Sequence, residues 1–296
     1  MKLSNLLTLR LCASVAILFS LTLNAQESYP KIYEATSWNP IGFEEIAEKF
    51  KTVDVLIIGE EHDDKKGHEE KLKLIQYLAE EMKFVISMEM FERDQQIVLN
   101  EYLSGLIDEK LFLSDSRLWN NFEDYKPIVF YAKEKNISIL AANAPRRYVR
   151  MLSRNGLEEM YKFPKASKKY FAPIYTVELF RQDVYESKIF GSIAGHGKDR
   201  MKNMILAQNL WDATMTDSIL KVIEKKRTKV LHINGRFHSD EYMGVTHRLT
   251  KLGLKVLTVS MFFNRSGEIP NQNQLKKYAD IIYVTGVNAP KKEKGE

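Results

Sequence analysis

Two histidines each stand three residues after a glycine that closes an apolar run: Gly59-Glu60-Glu61-His62 and Gly235-Arg236-Phe237-His238. The glycine permits a sharp turn off a strand, and the histidine that follows can point back over the strand edge. Two further apolar runs end in ionisable or polar groups, Met88-Glu89-Met90-Phe91-Glu92-Arg93 and Ala142-Asn143-Ala144-Pro145-Arg146-Arg147. His62, Glu89 and His238 are therefore a candidate set of two imidazoles and one carboxylate. With a divalent metal such as zinc or manganese, they would ligate it and leave positions open for water or substrate. Without metal, the same groups would serve as a general acid–base set.

The other histidines divide by context. His196, in Ala194-Gly195-His196-Gly197, leads into a long helical pattern and is a pocket candidate. His68, beside Glu69 and Glu70, is expected to be a solvated residue at a helix start, His232 a satisfied core histidine and His247 an exposed one. Trp211 and Asp212 lie on the long helix, where they can face the pocket. The zinc-protease pattern begins at His68-Glu69 but meets Leu72 where its second histidine belongs. No Gly-x-Ser-x-Gly elbow, phosphate loop or Gly-x-Gly-x-x-Gly follows a strand, which disfavours serine hydrolases and nucleotide-dependent enzymes.

The elements that must position these groups are legible as short, β-branched apolar runs: 53–59, 84–88, 137–142, 229–234, 255–261 and 281–284. Such runs suit strands covered on both faces. Helical spacing separates them, with Leu72, Ile75, Leu78, Ala79 and Met82 on one stripe. A longer stripe of Met204, Gln208, Trp211, Met215 and Val222 falls in a segment from about Asp199 to Lys225. Strands alternating with helices predict an α/β fold, a single domain with a largely parallel central sheet flanked by helices.

Residues 1–25 read as a signal peptide, with basic residues, an apolar run from Leu11 to Leu23, and small or polar residues at Asn24, Ala25 and Gln26. The only cysteine, Cys12, lies inside this segment without a lipobox, so the chain is expected to be exported to the periplasm or outer-membrane surface without lipidation. The mature part then has no disulfide and no thiolate chemistry. Residues 26–285 are the expected domain and 286–296 a charged, disordered tail. The whole chain holds 44 basic and 39 acidic residues among 296, a charge of +5, too weak and dispersed for a nucleic-acid partner. Residues 155–175 interleave Tyr161, Phe163, Tyr170, Phe171 and Tyr175 with four lysines.

The ordered pieces LIIGEEHDD, ISMEMFERDQQ, Trp119 with Tyr125 and Pro127, LAANAPRR, GHGKDRMKNMILAQNLWDATMTDSI and HINGRFHSDEYMGVTHRL resemble the ChaN-like family of haem-binding uptake proteins. That family sits with TraB/Tiki and erythromycin-esterase-like proteins in one superfamily. The resemblance covers 54–260 and departs from the family pattern at Thr246, where a proline is expected. It implies an exported protein that binds haem non-covalently in iron uptake, with haem-transfer proteins as partners and a homodimer as an expected assembly. Haem needs an axial ligand, apolar walls and cations for its propionates. Tyr161, Tyr170, Tyr175, His196, Asn143, Arg146 and Trp211 are the candidates for that pocket. The wider superfamily implies a metal-dependent hydrolase instead, with Glu61, Glu89 and His238 as its catalytic groups and His62, Glu89 and His238 as its metal ligands.

Overall fold

In β2 (Val55–Glu60) and β3 (Phe84–Glu92) every residue is buried, which is why neither run shows polar alternation. A computed structural model describes residues 30–179, 183–192, 197–265 and 271–287. The expected signal peptide, His196 and residues 288–296 lie outside them. The described strands also include β1 (Lys31–Glu34), β4 (Ile139–Asn143), β5 (Lys229–Gly235), β6 (Val256–Asn264) and β7 (Ile281–Val287). They form one seven-stranded sheet in the order β1-β7-β6-β2-β5-β3-β4. All pairs are parallel except β1 with β7, so the sheet is largely parallel, as expected.

Successive side chains of β2 serve opposite faces. Leu56 and Ile58 join Ile86, Met88, Leu231 and Ile233 beneath the helices Phe43–Lys51, Lys65–Glu81 and Phe122–Glu134. Val55 and Ile57 join Val230 beneath Met215 and Ile219 of the helix Lys198–Lys226, and Val245 and Leu249 of the helix Gly244–Lys251. Among the described residues, no helix is long and apolar enough to cross a membrane.

Three differences from the sequence reading have physical causes. β1 was not among the expected strands, because four residues with charged ends carry no apolar run. β3 runs past Met88 to Glu92, since Glu89 and Glu92 are neutralised where they lie. Arg117 and Arg146 both hold Glu92, and β3 shifts register against β4 between Met88 and Glu92. β7 reaches Val287, two residues into the segment read as tail.

Residues 155–175 are not a solvated loop. They fold into short helices, Glu158–Tyr161 and Lys165–Lys168, followed by Tyr175–Leu179. Two of their aromatic rings join the core: Phe163 and Phe171 pack on Tyr148 with centroids 5.0 and 4.9 Å away. At the outer edge of the sheet, the Gln96 amide pairs with β4 as a strand would. Its Nε2 donates to the Ile139 carbonyl (2.9 Å), and its Oε1 accepts from the Ala141 N–H (2.7 Å).

Candidate functional site

The site begins with the pairing of β2 and β5, which sets Gly59 beside Asn234 and Glu60 beside Gly235. Each glycine removes a methyl that the other turn would strike. A Cβ on Gly235 would lie 2.6 Å from His62 Nε2, and one on Gly59 would lie 2.6 Å from Ser239 Oγ and 3.3 Å from Arg236 Cα. The backbone of Gly235 is not strained (φ −61°). Close approach, rather than a left-handed turn, is what requires glycine there.

His238 follows in a turn of 3₁₀ helix and is buried. Its Nδ1–H donates to Asp212 Oδ1 (2.6 Å), from the helix Lys198–Lys226, and its Nε2 faces Glu89 Oε1 at 3.5 Å. The other Glu89 oxygen accepts the Gly235 N–H (2.7 Å). Burial alone would lower the His238 pKa, but the Glu89 and Asp212 carboxylates override it and raise it to about 10. Burial would likewise raise Glu89, and the His238 charge holds it at about 2 instead. His238 is thus an imidazolium between two carboxylates across the neutral range.

His62 behaves oppositely. Burial lowers its pKa, and its Nδ1 sits 2.9 Å from Glu60 Oε1 and 3.1 Å from the Tyr125 hydroxyl. Tyr125 donates to the same Glu60 oxygen (2.5 Å). The second Glu60 oxygen pairs with Lys71, a fully buried amine that also donates to His68 Nδ1 (3.1 Å). His68 Nε2–H donates to the His62 carbonyl (3.1 Å), which fixes its tautomer. His68 is therefore a buried brace for the His62 turn, not a solvated helix start. The Trp119 and His62 rings meet nearly perpendicular, with centroids 5.0 Å apart.

Above these groups opens a cleft of ≈ 730 Å³ at the carboxyl ends of the strands. Glu89, Glu92, Asn143 and His238 line it from the strand ends. Arg146, Val149 and Arg150 line it from the helix Arg146–Asn155, and Met204, Ala207, Gln208 and Trp211 from the long helix. Asn143, Arg146, Trp211, Glu89 and His238 are thus brought together.

Other candidates are not. Tyr161 (51 % exposed) and Tyr175 (68 % exposed) face solvent, because their neighbours Met160, Ile174 and Val177 take the inward positions. Tyr170 lines a separate cavity. Glu61 is drawn aside by Arg236 and Arg265. His62 turns its Nδ1 toward Glu60, and among the described residues no group of three His, Cys, Asp or Glu residues could hold a metal ion. His232 is buried, with Ser87 Oγ 2.9 Å from its Nδ1 and no partner among the described residues for its Nε2, so it is only half satisfied. Burial lowers its pKa to about 4. His247 is partly buried rather than exposed.

Sequence reasoning placed Met204 and Gln208 on a helical stripe and Tyr125 in the family pattern without giving them a role in the site, and it passed over Lys71. Lys71 had a signal, since it interrupts the buried stripe that continues through Leu74, Ile75 and Leu78. Asp212, read from the long helix as a residue that can face the pocket, lies there against His238.

Residues 46–249 match the family model described as haem-binding uptake, Tiki superfamily, ChaN, and the chain belongs to that family. No curated protein matches the chain closely enough to be set beside it. Among solved structures, ChaN of Campylobacter jejuni, described with cofacially bound haem, is similar over 86% of this chain and 96% of that one. Its identity is 16% and its TM-score 0.67. A Bacillus cereus protein (11% identity, 84% and 93% covered, TM-score 0.48) and an erythromycin esterase in its open conformation (12%, 82% and 78%, TM-score 0.43) are more distant. At these identities, the likeness to Campylobacter jejuni ChaN shows the fold.

Two predictions follow from this geometry. Gly235→Ala is expected to cost about 1–3 kcal/mol of stability by overpacking against the His62 ring. His62→Ala in the same chain should recover most of that loss, and equal losses with and without His62 in denaturant unfolding would refute the contact. For pH, a His238 pKa raised from 6.5 to about 10 gives stability that is full below pH 6.5 and lost as the pH rises through 10. NMR should show the His238 ring titrating only above neutrality, and Asp212→Asn should bring that titration down.

Proposed function

We propose that this protein binds haem non-covalently in the cleft above His238 and acts in haem or iron uptake after export. Its membership of the haem-binding uptake family carries the reading, and the cleft supplies a place for the ligand. The volume of ≈ 730 Å³ falls in the range of small-molecule and cofactor sites. Trp119, Trp211, Val149, Met204 and Ala207 offer apolar and aromatic walls. Arg146 and Arg150 sit exposed at the rim, where propionates would meet cations while the ring enters between the walls.

Haem, when bound, would supply an iron that takes nitrogen or sulfur ligands. Among the described residues lining the cleft, Met204 and His238 carry sulfur and imidazole donors of that kind. Asp212 orients the His238 ring, and Glu89 competes for its Nε2 proton. To hold the iron, His238 would have to release that proton, whereas Met204 would have none to release. The walls and cations fit haem, and the exposed Tyr161 and Tyr175 stand away from the cleft.

Absorption titration of residues 26–296 with ferric haem is expected to give a saturable Soret band. Replacing Arg146 and Arg150 together by Ala should weaken binding by about tenfold, while haem dimethyl ester, which lacks free propionates, should bind both forms alike. A drift without saturation would overturn the reading. Export rests on residues 1–25. Fractionation should find a chain beginning near Gln26 outside the cytoplasm, and an intact chain retained inside would refute it.

A further inference from the structure

A second cavity, of ≈ 390 Å³, opens beyond the β4 edge of the sheet, between the C-terminal half of the helix Lys198–Lys226 and Lys169-Tyr170. Its floor is apolar, with Leu140, Ala141 and Val222, and the Tyr170 ring stands beside it. Five cations line it and no acidic residue does: Arg93, Lys169, Lys221, Lys225 and Lys226. Lys225 and Lys226 alone would be ordinary, since cations favour the carbonyl end of a helix. Arg93 and Lys169 come from other parts of the chain, and helix polarity does not account for them.

Arg93 is the built part of this site. Its side chain is only 10 % exposed. Its Nε donates to Ser218 Oγ (2.7 Å), and its Nη2 to the Thr214 carbonyl (2.8 Å) and to Asp217 Oδ2 (2.6 Å). Those bonds fix the guanidinium plane, while its Nη1 has no partner among the described residues. Asp217 is already shared with Lys221 (2.8 Å). Lys169 reaches over the Tyr170 ring, 4.8 Å from its centroid, and Lys225 and Lys226 make no ion pair among the described residues. A guanidinium held in place, flanked by lysine amines above an apolar floor, suits a small molecule with two or more anionic groups and an apolar flank.

We infer that this cavity is a second ligand site, separate from the haem cleft, for a small polyanion bearing carboxylate or phosphate groups. Arg93 gives the directed contact, and the lysines close over the remaining charge. This inference does not depend on the haem reading.

The test is calorimetric titration of the full chain, at low ionic strength and without haem, with citrate and separately with pyrophosphate. Saturable binding of one per chain is expected for at least one of them, and the preferred probe tells carboxylate from phosphate. The exposed-site variant Lys169→Ala/Lys225→Ala/Lys226→Ala should weaken that binding by about tenfold or more, and arginine at the same positions should retain it. Saturation by neither probe, or equal binding by the alanine variant, would overturn the inference. The alanine variant should keep the denaturant-unfolding midpoint of the parent chain, which shows that it is folded whether or not haem binds the other cleft.

Discussion

The site depends on one steric constraint: two parallel strands end side by side, and each turn occupies space that the other strand's glycine leaves empty. Gly235 is the more demanding of the two. Its missing side chain admits the His62 ring, its N–H holds Glu89 from β3, and its chain then turns directly into His238. A larger residue there would push against His62, shift the N–H that anchors Glu89 and displace the imidazole three residues on. One peptide thus couples three strands at their carboxyl ends.

Two histidines placed by the same local pattern acquire opposite electrostatic characters from their second neighbours. His238 lies between Asp212 and Glu89 and keeps its proton, whereas burial favours the neutral form of His62. The difference arises from the long helix, which brings Asp212 down onto one histidine only. Above them the cleft is polarised, with carboxylates at the floor and arginines at the rim. A ligand with an anionic end and an apolar body has one favourable direction of entry.

Much of this was legible in the residues. The apolar runs located six of the seven described strands, and the endings of three of them identified Glu89, Asn143, Arg146 and His238 as neighbours in space. The spacing could not show register, and register decides that Glu61 points toward Arg236 and Arg265 while Glu60 points inward to Tyr125 and Lys71. Burial of His68 was hidden, and the stripe position of Lys71 was easy to discount, because charged residues early in a helix usually face water. These two are buried because Glu60 and the His62 carbonyl give them partners. The aromatic residues of 155–175 misled for a related reason. A stripe of rings beside lysines reads as a ligand wall, but Phe163 and Phe171 complete the packing around Tyr148 and Tyr161 and Tyr175 face solvent.

The Gln96 amide at the outer edge of β4 has a consequence for association between molecules. An edge strand with free N–H and carbonyl groups is a template on which another chain's strand can grow the sheet. Here a side chain already occupies the donor and the acceptor that such a strand would need at Ile139 and Ala141. An incoming strand would have to break two hydrogen bonds before forming its own. The sheet therefore carries its own terminator on this side, and concentrated protein gains a kinetic guard against edge-to-edge polymerisation that requires no charge and no extra strand.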